Sequence, residues 1–123
     1  MVIKRHHLIL LTKESRRELM KNYNVELLPA ADDDLDDIFN YILLDNPEAA
    51  NEILDRIMTS LKHLEIFPYA GSKIMEESLN HFEFRMVISE PYIAFYRVIE
   101  NTIYIYRILH GARDYIQILR NKR

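Results

Sequence analysis

Phe82-Glu83-Phe84-Arg85-Met86-Val87-Ile88, Tyr92-Ile93-Ala94-Phe95-Tyr96-Arg97-Val98 and Ile103-Tyr104-Ile105-Tyr106-Arg107-Ile108-Leu109 are three runs of seven residues in the last third of a 123-residue chain. Aromatic and β-branched residues dominate all three, the composition that fits a pleated, half-buried surface. The connectors Ser89-Glu90-Pro91 and Ile99-Glu100-Asn101-Thr102 leave room only for tight turns. Consecutive strands joined this way pair antiparallel, because a parallel pair needs a crossover of a dozen residues or more. The spacing therefore predicts a three-stranded meander over residues 82–109.

Upstream of the meander the period changes. Asn24-Val25-Glu26-Leu27-Leu28 alternates and stops at Pro29, which reads as a short strand. Leu35, Ile38, Phe39 and Ile42 then recur at i, i+3, i+4 and i+7, one apolar stripe of a helix running to about Leu44. Asp32, Asp33, Asp34, Asp36 and Asp37 crowd its first turns, where the helix dipole favours carboxylates, and they read as a solvated face. Asp45-Asn46-Pro47-Glu48 supplies a turn, a capping side chain and a proline suited to the first helical position. Ala50, Ile53, Leu54, Ile57, Leu61 and Leu64 carry a second, longer helix. Two helices joined so closely fold back as an αα-hairpin. Phe67-Pro68-Tyr69-Ala70-Gly71 ends the helical half, residues 72–81 have no period and read as a crossing loop, and the tail turns helical from Tyr115. The expected fold is α+β, a two-layer β-α-α-β-β-β arrangement with the αα-hairpin packed on one face of an antiparallel sheet.

Composition narrows the function. The chain has no cysteine, which removes disulfides, thiolate nucleophiles, iron–sulfur clusters and zinc sites that use sulfur. Its two glycines, Gly71 and Gly111, cannot make a glycine-rich phosphate loop, and His6, His7, His63, His81 and His110 share no metal-ligand spacing. No apolar run reaches the length of a membrane span. The net charge of −3 is unevenly placed: residues 1–22 carry +4, residues 23–67 carry −9 and residues 68–123 carry +2. Residues 1–22 read as an N-terminal extension, with a short helix or strand over 8–19 or an unstructured arm, and residues 23–123 as the folded domain. Met20 offers a second translation start.

The candidates for chemistry are cations on the sheet. Arg85, Arg97 and Arg107 sit one on each late strand and Arg113 just beyond, with Tyr92, Tyr96, Tyr104 and Tyr106 interleaved. Grouped guanidinium groups bind phosphate or carboxylate bidentately, and with aromatic neighbours they suit single-stranded nucleic acid or an acidic peptide. The structural alternative is that the arginines pair with the acidic helices while the tyrosines pack in the core. Parity favours that alternative for Arg97, which shares a face with Ile93 and Phe95, and for Arg107, which shares one with Ile103 and Ile105.

Four short motifs in order, Pro47-Glu48-Ala49-Ala50, Phe67-Pro68, Tyr92 to Val98, and Leu109-His110-Gly111-Ala112-Arg113-Asp114, resemble the RelE/ParE superfamily of bacterial toxins over about residues 23–120. The resemblance implies the toxin of a type II toxin–antitoxin pair, cytoplasmic, without cofactor or metal, neutralised by a cognate antitoxin in a hetero-oligomer. Its RelE-like branch cuts mRNA on the ribosome with cationic side chains from the sheet. Its ParE-like branch acts on DNA gyrase. For the nuclease branch the candidate catalytic residues are Arg85, Arg113, His110 and Tyr96.

Charge separates the branches. The nuclease branch usually carries lysines on the strand before the first late turn, where His81-Phe82-Glu83-Phe84-Arg85 has none. Residues 20–123 carry −6, an awkward balance for approaching ribosomal RNA through counterion release. The ParE-like reading is therefore favoured, with the endonuclease as its alternative and a non-toxic interaction module of the same fold as a third.

Overall fold

The computed structural model describes residues 23–111 and 113–121. The expected helix or strand over 8–19 lies outside them. The elements are β1 (Asn24–Leu27), α1 (Pro29–Asp45), α2 (Pro47–His63), β2 (Ser72–Lys73), a 3-10 helix (Glu77–Phe82), β3 (Arg85–Ser89), β4 (Tyr92–Ile99), β5 (Thr102–His110) and α3 (Tyr115–Arg120). Five strands form one sheet in the order β1-β5-β4-β3-β2. The β3–β4–β5 meander is antiparallel as expected. The sheet is mixed, however, because β1 pairs parallel to β5. The chain between β1 and β5, made of the αα-hairpin and the three intervening strands, is far longer than the crossover a parallel pair requires.

The helix boundaries follow local chemistry. Leu28 continues the β1 ladder by donating to Ile105 O at 3.0 Å, and its own carbonyl accepts from Asp32 N to begin α1. Pro29 occupies the first turn, where its missing N–H costs nothing. Asn46 serves both helices. Its N–H closes α1 on Ile42 O at 2.7 Å, and its side chain caps α2 by accepting from Ala49 N at 3.2 Å.

The helices bury Leu35, Ile57, Leu61 and Leu64 against Ala94, Tyr96, Ile103, Ile105 and Ile108 on one face of the sheet. The opposite face is not bare. Ile74, Leu79, Phe84, Phe95, Leu109 and Leu119 form a second cluster, covered by the 3-10 helix and α3. Phe95 stacks on Tyr115 with ring centroids 4.9 Å apart. This second cluster corrects the start of the first late strand. Phe82-Glu83-Phe84 alternates because both phenylalanines pack into it, yet Glu83 is left-handed (φ 54°, ψ 44°) and closes the 3-10 helix, so the ladder begins only at Arg85. The expected loop over 72–81 likewise contains β2 and most of the 3-10 helix, both too short for a period to appear.

One contact joins the two layers at a place where neither strand pairing nor apolar packing reaches. The β1 ladder ends beside Ile105, and just beyond it β5 carries one extra residue, since Tyr96 faces Ile105 while Phe95 faces Arg107. β5 runs on to His110 past the last residue that β1 pairs, so this stretch of its other edge has no strand neighbour. Asp34 occupies that edge. Its carboxylate accepts from Arg107 Nε at 2.7 Å, from Arg107 Nη2 at 2.8 Å and from the backbone N–H of Ile108 at 2.9 Å. Hydrogen bonding to Asp34 holds the Arg107 guanidinium above its ordinary value, while partial burial acts in the opposite direction. The four other aspartates of the cluster are exposed as expected; Asp34 is the exception, at 9% exposure.

Removing one partner of a nearly buried pair leaves the other charge uncompensated, which costs about 3 kcal/mol or more. Asp34→Ala should lose roughly that much in urea unfolding, and Asp34→Asn less, because the amide oxygen can still accept from Ile108. Equal, small losses in both variants would show that the clasp contributes little.

Candidate functional site

The sheet arginines do not converge. Arg97 donates from Nε to Phe82 O at 2.6 Å and from Nη1 to the Tyr106 hydroxyl at 3.1 Å. The rings of Phe82, Phe84 and Tyr106 lie within about 6 Å of its guanidinium carbon, close enough for cation–π attraction. It therefore binds the 3-10 helix to the sheet. Arg107 is held by Asp34. Arg107 follows the structural alternative and pairs with an acidic helix, whereas Arg97 is also bound internally but to a backbone carbonyl and a tyrosine hydroxyl instead of the acidic helices.

Arg85 and Tyr96 are directly opposite each other in the β3–β4 pairing. Arg85 donates from Nη1 to Gly71 O at 2.8 Å and to Tyr69 O at 3.3 Å, and its guanidinium lies 5.0 Å from the centre of the Tyr69 ring. Tyr96 is fully buried; its hydroxyl donates to Pro68 O and accepts from Gly71 N, both at 2.9 Å. Both side chains thus fasten the turn that follows α2. Glycine is required at position 71 by close approach. A Cβ there would sit 2.6 Å from Met86 O and from the Tyr96 hydroxyl.

His110 and Arg113 lie at the other end of the sheet. His110 faces Tyr92 across the β4–β5 pair, four residues along β4 from the position opposite Arg85. That is a separation of about 13 Å along the strand direction alone. The four candidate residues are therefore not assembled into one site. His110 and Arg113 instead line an open cleft of about 480 Å³ between α1 and the end of β5, with Asp37, Ile38, Tyr41 and Tyr92. The Tyr92 ring meets His110 edge-on at 5.7 Å. Burial pushes the Tyr92 hydroxyl up, with a smaller contribution from Tyr41. The end of the strand is held by Gly111 N donating to Pro91 O and Arg113 N to His110 O, each at 2.9 Å. Asp114 then caps α3 through Gln117 N at 3.3 Å. The cleft offers an exposed guanidinium, an exposed imidazole and the exposed ring of Tyr41, a surface fitted to contact a macromolecule. Among the described residues no group of three or more histidines, aspartates and glutamates is placed to hold a metal ion. None of the described helices is long and apolar enough to cross a membrane.

The family described as the ParE toxin of the type II toxin–antitoxin system parDE matches residues 25–115. The chain belongs to this ParE toxin family. Its fold is also similar to a solved chain from the chromosomal ParDE toxin–antitoxin system of P. aeruginosa, at 25% identity and a TM-score of 0.61, covering 73% of this chain and 97% of that one. No curated protein matches the chain. The ParE match spans β1 through the start of α3 and includes both the Tyr96–Gly71 tie and the Arg113 cleft.

The sequence groups His110 with both Arg85 and Arg113, and the structure keeps only His110 and Arg113 together; Asp34, Gly71 and Tyr41 take their places from tertiary contacts. A signal for Asp34 was available. Of the five aspartates it alone stands three residues after Ala31 and four before Ile38, on the apolar stripe of α1.

Burial holds the Tyr96 hydroxyl above its ordinary value, against the lowering effect of its bond from Gly71. A group that keeps its proton more tightly when folded contributes stability that is full below its unfolded value and declines as pH rises through the folded one. Alkaline unfolding should therefore steepen above about pH 10. In Tyr96→Phe that steepening should be weaker, and neutral-pH stability lower by about 1–3 kcal/mol, since Gly71 N–H and Pro68 C=O lose their buried partner. An unchanged alkaline profile would remove Tyr96 as its source.

Proposed function

We propose that this ParE-family toxin halts growth through DNA gyrase in the cytoplasm, without hydrolytic chemistry, and is neutralised by a cognate antitoxin. The observation that carries the reading is the dispersal of the sheet arginines. Phosphodiester cleavage needs a base and phosphate-binding cations around one reacting centre. Here Arg97 and Arg107 are bound internally, Arg85 is held by two backbone carbonyls, Tyr96 is sealed in the core, and His110 with Arg113 stand apart from both. The cleft containing Arg113, His110 and Tyr41 is the surface we assign to target contact.

The antitoxin reading is supported by the similarity to a member of a ParDE system and by apolar side chains left in water near the turn between α1 and α2. Tyr41 is 74% and Leu44 91% exposed. Large apolar groups clustered in this way mark a surface that another chain covers.

Inducible expression with and without the neighbouring small open reading frame tests the proposal. Growth should stop without the antitoxin and resume with it, and extracts should show lost supercoiling and trapped gyrase cleavage complexes. Ribosome-dependent transcript breaks would replace this reading with the endonuclease, and unchanged growth would leave an inert module. Arg113→Ala should relieve toxicity by tenfold or more, the effect of losing about 1.4 kcal/mol of contact. Full toxicity in a folded Arg113→Ala protein would remove that residue from the target surface.

A further inference from the structure

The outer edge of β1 borders an open groove of about 520 Å³ that neither the fold nor the proposed target surface uses. Asn24 N donates to Asn101 O and Leu28 N to Ile105 O, both at 3.0 Å and both toward β5. Bonding residues alternate along a strand, so the N–H and C=O groups of Val25 and Leu27 point the other way, where β1 has no strand neighbour. The next place back along that edge is already closed, because Tyr23 N donates to Glu65 O at 3.3 Å, just past the end of α2. Two donors and two acceptors are left beside the groove.

α2 forms the rim. Its Asp55, Met58 and Lys62 recur at i, i+3 and i+7 and share one helix face. All three are exposed, Met58 by 42%, and neither charge has an ion-pair partner among the described residues. An apolar centre lies between a negative and a positive group, about 4.5 and 6 Å away along the axis, which makes the face self-complementary. A half rotation about Met58 brings each Asp55 to a Lys62 and the two methionines to each other.

The backbone edge has its own centre of symmetry at the same height. α2 begins beside Ser89 and Glu90 at one end of the sheet and returns to the start of β1 at the other, where Glu65 meets Tyr23. From Tyr23 to Glu26 is three strand residues, about 10 Å, and from Glu65 back to Met58 is seven helical residues, about 10.5 Å. Glu26 and Met58 are therefore level. A two-fold axis there sets Val25 opposite Leu27 of a second copy and Leu27 opposite its Val25, and each such pair exchanges two hydrogen bonds.

We propose that this groove docks a second copy of the chain. The two β1 edges pair antiparallel, joining two five-stranded sheets into one, while the facing α2 helices supply the Met58 contact and two Asp55–Lys62 pairs. Exposed ion pairs add little affinity; they fix the register, and the backbone bonds with the apolar contact hold the copies together. Glu26 opposes the pairing, because it is exposed on the axis and faces its own counterpart. The Arg113 clefts stay open at the two far ends: His110 is six residues beyond Tyr104, the partner of Glu26, about 20 Å along the strand.

Sedimentation equilibrium of the purified full-length chain should show a concentration-dependent dimer. Asp55→Lys and Lys62→Glu should each weaken it roughly tenfold, since two attractive pairs become repulsive, and Glu26→Gln should tighten it severalfold. An equimolar mixture of Asp55→Lys and Lys62→Glu chains should recover the dimer, because every pair across the axis is again opposite in sign. Within one chain the two positions are about 10.5 Å apart and cannot rescue each other. A wild-type chain still monomeric at about millimolar concentration would overturn the proposal. So would a mixture no more associated than either variant alone, or a dimer that both substitutions leave unchanged, with circular dichroism confirming that each variant is folded.

Discussion

A carboxylate at the edge of a strand closes the seam that apolar packing leaves open between the two layers of this protein. β1 is only four residues long and β5 nine, so the parallel pair cannot protect the whole edge of β5. β5 continues past Ile105, the last residue that β1 pairs, so the N–H of Ile108 has no strand partner on that edge, and a buried N–H with no acceptor is costly. α1 starts one residue after β1 and runs across that edge, which brings Asp34 to the gap. Once Asp34 is there it needs a counter-charge, and Arg107 meets it with two parallel donors, the geometry that guanidinium and carboxylate match best. Helix position, the short reach of β1 and the ion pair therefore depend on one another.

The same economy of cations explains the functional reading. A sheet with an arginine on each of three strands looks from sequence like a phosphate-binding face. Each arginine instead secures a neighbouring element: Arg107 the αα-hairpin through the Asp34 carboxylate, Arg97 the 3-10 helix and Arg85 the turn around Gly71, the last two through backbone carbonyls. Irregular segments expose carbonyls that strands and helices satisfy internally, and a guanidinium with five donors is suited to collect them. What remains exposed is Arg113 with His110, beyond the last strand, beside the rings of Tyr41 and Tyr92.

Much of the fold was legible in the sequence because its elements are long relative to their periods. Leu35 to Ile42 and Ala50 to Leu64 repeat often enough to define both helices, and the short connectors among the late strands define a meander without ambiguity. The elements that escaped are two to six residues long, or take their apolar pattern from a different cluster, as Phe82 and Phe84 do. Parallel pairing of β1 and the second apolar cluster depend on contacts between distant segments, which no local period encodes. The site was only partly legible for a related reason. Residue type identified the arginines, but their partners are backbone carbonyls of Phe82, Tyr69 and Gly71 and a single aspartate among five, and these are chosen by tertiary geometry.

Hydrogen exchange at the Ile108 amide, measured in the native state by NMR, tests the Asp34 clasp most directly. If the carboxylate closes the edge of β5 as described, this amide should exchange only through global unfolding, with the same protection as the amide of Ile103 in the paired part of the strand. Exchange as fast as that of an exposed edge residue such as Ser72 would contradict the account, because the contact joining hairpin to sheet would then be open in solution.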